Sequence, residues 1–388
     1  MSGEAGDNPG LDPATDRARK VDPVGQPVEP PRWGRRPPGP EKGPGARPGE
    51  RGREAAGGGD RGGPTYAALD LGTNNCRLLV ARPNGEGFRV IDAFSRIVRL
   101  GEGISASGRL SEAAIERSME ALEICRNKMR NRGVTRARLV ATEACRAAAN
   151  GLDFRARVAD LLGLELEVID RETEAALAAT SCTPLIDPAA QGVVLFDIGG
   201  GSSELVRMGP APNNGRGPPP PQIKGWISLP HGVVTLAERY GGLDVTRDTY
   251  EAMVREIADL IEPFAQEHGG GDLGEVHMLG TSGTVTTIAG VHLDLKRYDR
   301  NRVDGCWLGA EEIDAVLERL LTMSYAERCA SPCIGSDRAD LVLAGCAILE
   351  AIRRAFPCKR LRVADRGLRE GMLVEMMRQD GVWDGQAA

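Results

Sequence analysis

VVLFDIGGGSSELVRMG spans residues Val193–Gly209. The apolar residues at either end read as buried strands, yet three consecutive glycines break the run just after Asp197. Glycine loses the most conformational freedom on folding, so Gly199, Gly200 and Gly201 need a reason. A turn that adopts positive φ and bares its N–H groups would supply one, and Ser202 adds a hydroxyl donor. A second copy of this pattern stands earlier, in ALDLGTNNCRLLVA (Ala68–Ala81). Each copy is an apolar strand ending in Asp, then an apolar residue, a glycine, small residues and a second strand. The repeat is half a protein long, and it resets the reading of the fold.

Two Asp-Gly hairpins whose backbones can approach an anion are read as two phosphate cradles, Gly72, Thr73, Asn74 and Asn75 in the first and Gly199–Ser202 in the second. Two ordinary hairpins are the rival reading. A Walker-type loop would need GK[ST] and a following helix, and neither is present. If 199–202 form the turn, Asp197 faces Glu204. Like charges directly opposite destabilise a strand pair unless they share a hard cation. The same register sets Asp70 opposite Arg77, a neutralising pair, and Arg77 joins the first cradle as a phosphate-binding candidate. A third Gly-rich stretch, LGTSGTVTT (279–287), joins a strand to a helix. Gly280, Ser282, Gly283 and Thr284 there can meet a phosphate at the helix N-terminus, or Thr281, Ser282 and Thr284 can simply cap it.

Around these motifs, periodicity predicts strands at 66–71, 76–81, 88–100, 137–142, 165–170, 193–198, 223–230, 275–280 and 360–365. Helices are predicted at 111–131 (Ser111 as N-cap, Gly133 as stop), 151–163, 172–180, 233–241, 247–267, 284–293, 310–323, 337–354 and 367–379. The alternation is α/β. Residues 1–64 are rich in Pro, Gly and Arg and too poor in large apolar residues to offset ordering entropy, so a disordered tail is expected. PAPNNGRGPPPPQ (210–222) reads as a mobile loop. The 388 residues suffice for two domains, expected at 65–190 and 191–380, with the last helix packing back on the first.

The composition is that of a soluble globular protein, 41% hydrophobic and 27% charged. No apolar run could span a bilayer, and no signal region opens the sequence. A net charge of −6 counts against a general nucleic-acid binder. Nine cysteines without CxxC spacing argue for reduced thiols in a cytoplasm. His231 has no evident partner and reads as a cap or packing residue. Asp337, Arg338 and Asp340 read as a helix start, and Trp226 and Trp307 as core or interface residues.

AALDLGTNNCRLLVA, VATEACRAAAN, EVIDRETEAALA, VLFDIGGGSSELV, ISLPHGVVTL, MLGTSGTVTTIAG, DRADLVLAG and LRVADRGLREGML, taken together, resemble the exopolyphosphatase and guanosine pentaphosphate phosphatase (Ppx/GppA) family of the actin-like ATPase superfamily. The resemblance covers about residues 65–378. It implies two duplicated actin-like (ribonuclease H-like) domains facing a central cleft, and release of the terminal phosphate of inorganic polyphosphate. The alternative is the 5′-phosphate of guanosine pentaphosphate, in the stringent response. On the family's pattern Glu174 is the base that activates water, Asp197 and Glu204 hold Mg²⁺, and Arg146 binds phosphate, with Glu143 and Asp70 as secondary candidates. Family members often form dimers, so a homodimer is expected. Some carry a further helical C-terminal domain without counterpart here, which bears on how a long polymer is held. A small-molecule kinase and an actin-like filament protein are the rival functions on such a fold.

Overall fold

The computed structural model describes residues 63–211, 218, 220–269 and 276–383. Nearly all of the tail and most of the centre of the 210–222 loop therefore lie outside the described residues.

Two sheets organise the molecule. The first contains β1 (Tyr66–Leu71), β2 (Asn75–Asn84), β3 (Gly87–Ile97), β4 (Arg136–Ala141) and β5 (Glu167–Val168), in the order β3-β2-β1-β4-β5. The second contains β6 (Gly192–Ile198), β7 (Ser203–Met208), β8 (Ile223–Leu229), β9 (Val276–Thr281), β10 (Trp307–Gly309) and β11 (Arg360–Val363), in the order β10-β11-β9-β6-β7-β8. Their inner plans coincide. In each, the first three strands form an antiparallel meander, and a fourth strand adds parallel to the first on its other side. A fifth strand then adds parallel to the fourth. The duplication read from two hairpins is thus a duplication of whole sheets, as expected for two actin-like domains.

Local chemistry sets most boundaries. The Ser111 side chain accepts the Ala114 N–H, and the helix Glu112–Asn131 stops at Gly133, whose φ is 60°. The expected strand 165–170 shrinks to Glu167–Val168 because Asp170 turns to cap the next helix, accepting the Thr173 N–H at 2.8 Å. The helix expected from 337 begins at Val342. Two arginines claim the carbonyls just before it, Arg99 at Asp337 (3.0 Å) and buried Arg328 at Ala339 (3.1 Å). Asp340 then forms a two-pronged pair with Arg99 at 2.9 and 3.2 Å, which ties the loop after β3 to this segment. Trp226 is not core: it is 37% exposed on edge strand β8. Trp307, half-buried on β10, lies under the guanidinium groups of Arg360 and Arg362.

The helix Arg171–Cys182 joins the halves. Its Leu177 belongs to a cluster with Tyr66, Ala68 and Leu79 of the first sheet and Met372, Met376 and Met377 of the C-terminal helix Leu368–Gln379. Its Ala175, Ala178, Ala179 and Cys182 pack with Val193, Leu195, Val206 and Leu279 of the second sheet. Small residues make that double contact feasible. At Gly371 of the C-terminal helix a Cβ would lie 2.2 Å from the Leu177 carbonyl oxygen. Gly371→Ala should therefore lower the urea-derived stability by about 1–3 kcal/mol, the usual range for overpacking a tight contact. Gly87→Ala, at an open position, serves as the reference and should stay within about 0.5 kcal/mol. Equal stability of the two variants would contradict the packing.

Candidate active site

Both hairpins open into one cleft, lined by Asp70, Gly72–Asn75 and Arg77 on one side and Asp197, Gly199–Ser202 and Glu204 on the other. The two bends close alike. Gly72 N–H donates to Asn75 O at 2.9 Å, and Gly199 N–H to Ser202 O at 3.0 Å. Their carbonyls are tied backward. Asn74 O accepts from Val98 and Arg99, Thr73 O from Gly101, and Gly199 O and Gly200 O from Val233 and Val234. Among the described residues no partner meets the N–H groups of Thr73, Asn74, Gly200 and Gly201. A backbone with committed acceptors and free donors is what an anion requires.

The reason for the glycines differs from the sequence reading. Neither Gly72 nor Gly199, Gly200 and Gly201 has positive φ. Close approach demands them instead. A Cβ on Gly200 would lie 3.0 Å from Thr73 Cβ, and one on Gly201 would lie 2.7 Å from Thr73 Oγ1. The second bend offers bare backbone to the Thr73 side chain of the first, and a side chain on it would push the bends apart.

The cross-strand registers are those inferred: Asp197 opposite Glu204, and Asp70 opposite Arg77. Burial, then Asp70, push the Asp197 carboxyl up to about 6, against the pull of Arg77. Burial and Asp197 push Glu204 up to about 7, although Ser228 donates to it at 2.9 Å. Glu174, 7% exposed, rises well above the carboxylate range through burial, Glu204 and Asp197, with Arg146 opposing. Glu172, two residues earlier, faces solvent. Three buried carboxyls thus share a site short of positive charge.

Arg146 stands behind the cleft wall. It donates to Glu174 at 3.3 Å, to Ile169 O at 2.6 Å and to Glu143 at 3.0 Å. Arg171 also binds Glu143, at 2.9 Å. Burial opposes ionisation of Glu143, but Arg171 and Arg146 outweigh it and hold its carboxyl below the ordinary range. Asp70 rises through burial despite Arg77 and Arg369.

In the third loop the hydroxyls do not cap. Ser282 donates to Ile198 O at 2.8 Å and Thr281 to Arg366 O, so the helix Ser282–His292 has no side-chain cap. Ser282 holds φ 83°, a conformation that costs a non-glycine residue about 1–3 kcal/mol. Ser282, Gly283 and Thr284 line an adjoining recess, whereas Gly280 lies in β9, packed on Phe196 and Val285. His231, read as partnerless, pairs with Glu256 at 3.2 Å.

Residues 79–380 match the model of the Ppx/GppA phosphatase family. The chain belongs to that family. The Ppx/GppA structure from Aquifex aeolicus is 29% identical, with a TM-score of 0.67 over 82% of this chain and 98% of that one. An exopolyphosphatase-like protein is likewise 29% identical, with a TM-score of 0.70 over 81% and 98%. An exopolyphosphatase from Cytophaga hutchinsonii, 22% identical with a TM-score of 0.73 over 81% and 98%, shares the fold.

In this Ppx/GppA phosphatase the cleft also takes Thr142, Arg366 and Arg369 into its wall. No sequence argument singled them out. The two arginines sit in LRVADRGLREGML, which has neither a Gly-rich turn nor paired carboxylates to mark a site. Among the described residues no helix is long and apolar enough to cross a membrane, and no three His, Cys, Asp or Glu gather as a ready metal cage.

The raised carboxyls carry a pH signature. Asp197 moves from an ordinary 3.8 to about 6, and Glu204 from 4.5 to about 7. Over that window the folded protein binds more protons than the unfolded chain, so this pair's stabilisation is complete below the ordinary values. It is lost progressively as pH rises from about 4 and is gone above the raised values of about 6 and 7. In metal-free melts, Asp197→Asn/Glu204→Gln should gain on the wild type between pH 5 and 8. Parallel pH profiles for the two proteins would refute the assignment.

Proposed function

We propose that this Ppx/GppA phosphatase releases the terminal phosphate of inorganic polyphosphate by attack of water across the cleft. In this reading residues 65–190 and 191–380 are its two lobes, with the C-terminal helix lent to the first. The observation that carries the reading is the meeting of two amide-lined bends beside three buried carboxyls of raised pKa.

The donor set fits a hard divalent cation such as Mg²⁺. Asp197 and Glu204 face each other, buried, with no cation paired to either among the described residues, and Mg²⁺ is commonly held by one or two carboxylates plus water and phosphate oxygens. When bound there it would neutralise charge on the phosphate oxygens. The N–H groups of Thr73, Asn74, Gly200 and Gly201 bind the terminal phosphoryl oxygens and take charge as it develops. Glu174 orients the attacking water and accepts its proton, and Arg146 restrains the Glu174 carboxylate. A divalent cation held by Asp197 and Glu204 would offset the repulsion that these carboxyls exert on Glu174, leaving burial as the main force against its ionisation and Arg146 as the charge that favours it.

One feature favours a second substrate. The recess beside Asn74, Gly200 and Thr284 has apolar walls of Val233, Ile334, Leu341 and Val342. A phosphate chain has no use for that surface, and the purine of guanosine pentaphosphate does. Phosphate release from long polyphosphate, tripolyphosphate, guanosine pentaphosphate and ATP, measured side by side with magnesium, decides between them. Polyphosphate should turn over fastest, and a preference for guanosine pentaphosphate would replace the first reading with the second. Glu174→Gln should lower kcat by about 10²–10⁴-fold without loss of folding. A folded, fully active variant would contradict the role of Glu174.

A further inference from the structure

Most arginines around the cleft are already engaged. Arg146 and Arg171 bind Glu143, Arg366 pairs with Asp304 at 3.0 Å, and Arg300 with Glu370 at 3.1 Å. Arg77 and Arg369 differ. Both line the cleft, and among the described residues neither forms a hydrogen bond or an ion pair. Arg369 has a carboxylate as its sequence neighbour, but that group is spent elsewhere: Glu370 accepts from Gly367 N–H at 3.0 Å and from Arg300.

The position of Arg369 is fixed by packing. It stands in the first turn of the helix Leu368–Gln379, whose Met372, Met376 and Met377 are buried against the first sheet. The charges acting on it include Asp70 and Arg77, the pair at the base of the first bend. Burial pulls its guanidinium below the ordinary pKa, against Glu370 and Asp70. A desolvated cation that no carboxylate contacts in an ion pair is costly in the free protein, and a ligand anion can supply that contact.

We infer that Arg369 is a substrate-binding residue, which together with Arg77 takes phosphate oxygens of a phosphoanhydride-ended chain at the first bend. The inference rests on the proposed function. It adds a side-chain clamp to the amide cradles, brought to the first sheet by the last helix of the chain. A guanidinium gripping two oxygens explains why a fixed helical position, rather than a mobile loop, carries it.

The test measures binding of tripolyphosphate with magnesium by calorimetry and by the ligand-induced rise in Tm, in full-length Glu174→Gln protein to suppress turnover. Adding Arg369→Gln should weaken binding about tenfold or more, as for a lost charge-assisted contact, while the unliganded Tm does not fall. Adding Arg369→Lys should give an intermediate affinity. Unchanged affinity in the Gln variant, with or without a lower Tm, marks a structural role and overturns the inference. If the Gln variant does not fold, the Lys variant decides, and an affinity equal to that of arginine overturns it. If the Glu174→Gln protein itself does not bind tripolyphosphate, the proposed function fails and takes this inference with it.

Discussion

Two bends from different sheets meet with the Thr73 side chain of one seated on the glycines of the other, where no second side chain fits. Gly200 and Gly201 lie against Thr73 and Asn74 at distances that a Cβ would violate. That contact governs the site. It brings two sets of unpartnered N–H groups to one place, while the bend carbonyls are held back by Val98, Arg99 and Gly101 on one side and Val233 and Val234 on the other. The preference for an anion therefore comes from how the backbone is tied off. The helix Arg171–Cys182, in contact with both sheets, brings Glu174 to the same cleft.

Charge in the cleft is unbalanced at two points of opposite sign. Asp197, Glu204 and Glu174 crowd negative charge into buried surroundings, and each carboxyl is pushed up in response. Arg77 and Arg369 present positive charge without a bound carboxylate. Arg77 lowers the Asp197 carboxyl in part, but no ion pair forms between these groups among the described residues. Such residual charge is costly in the free protein, and in the proposed function a polyanion and a divalent cation would offset it together. The same logic separates Arg146 from the other arginines. Its charge is spent within the protein, on Glu143 and Glu174, behind the residues that line the cleft.

Much of this was legible in the sequence, for a definite reason. A repeated Asp-Gly hairpin fixes strand register, and strand register fixes which side chains oppose, so Asp197 against Glu204 follows from the turn alone. The helices were legible where a cap was local, as at Ser111. Other features depend on contacts distant in the chain. Gly200 and Gly201 of the second bend are required by Thr73, far away in sequence, rather than by their own φ, while Gly199 is required by the Ser202 carbonyl within the bend. The late start of the helix at Val342 reflects carbonyls claimed by Arg99 and Arg328. Arg369 carries no local mark, because its place in the cleft lining exists only after the last helix has docked on the first sheet. His231 looked partnerless because Glu256 is supplied by another helix.

The account stands on both bends holding a single phosphoryl group. The most direct measurement is a crystal structure of the Glu174→Gln protein with imidotriphosphate, a non-hydrolysable tripolyphosphate analogue, and magnesium. The terminal phosphorus should lie between the Thr73–Asn74 and Gly200–Gly201 amides, with the cation on Asp197 and Glu204. A terminal phosphate bound by one bend alone, or outside the cleft, would contradict the account.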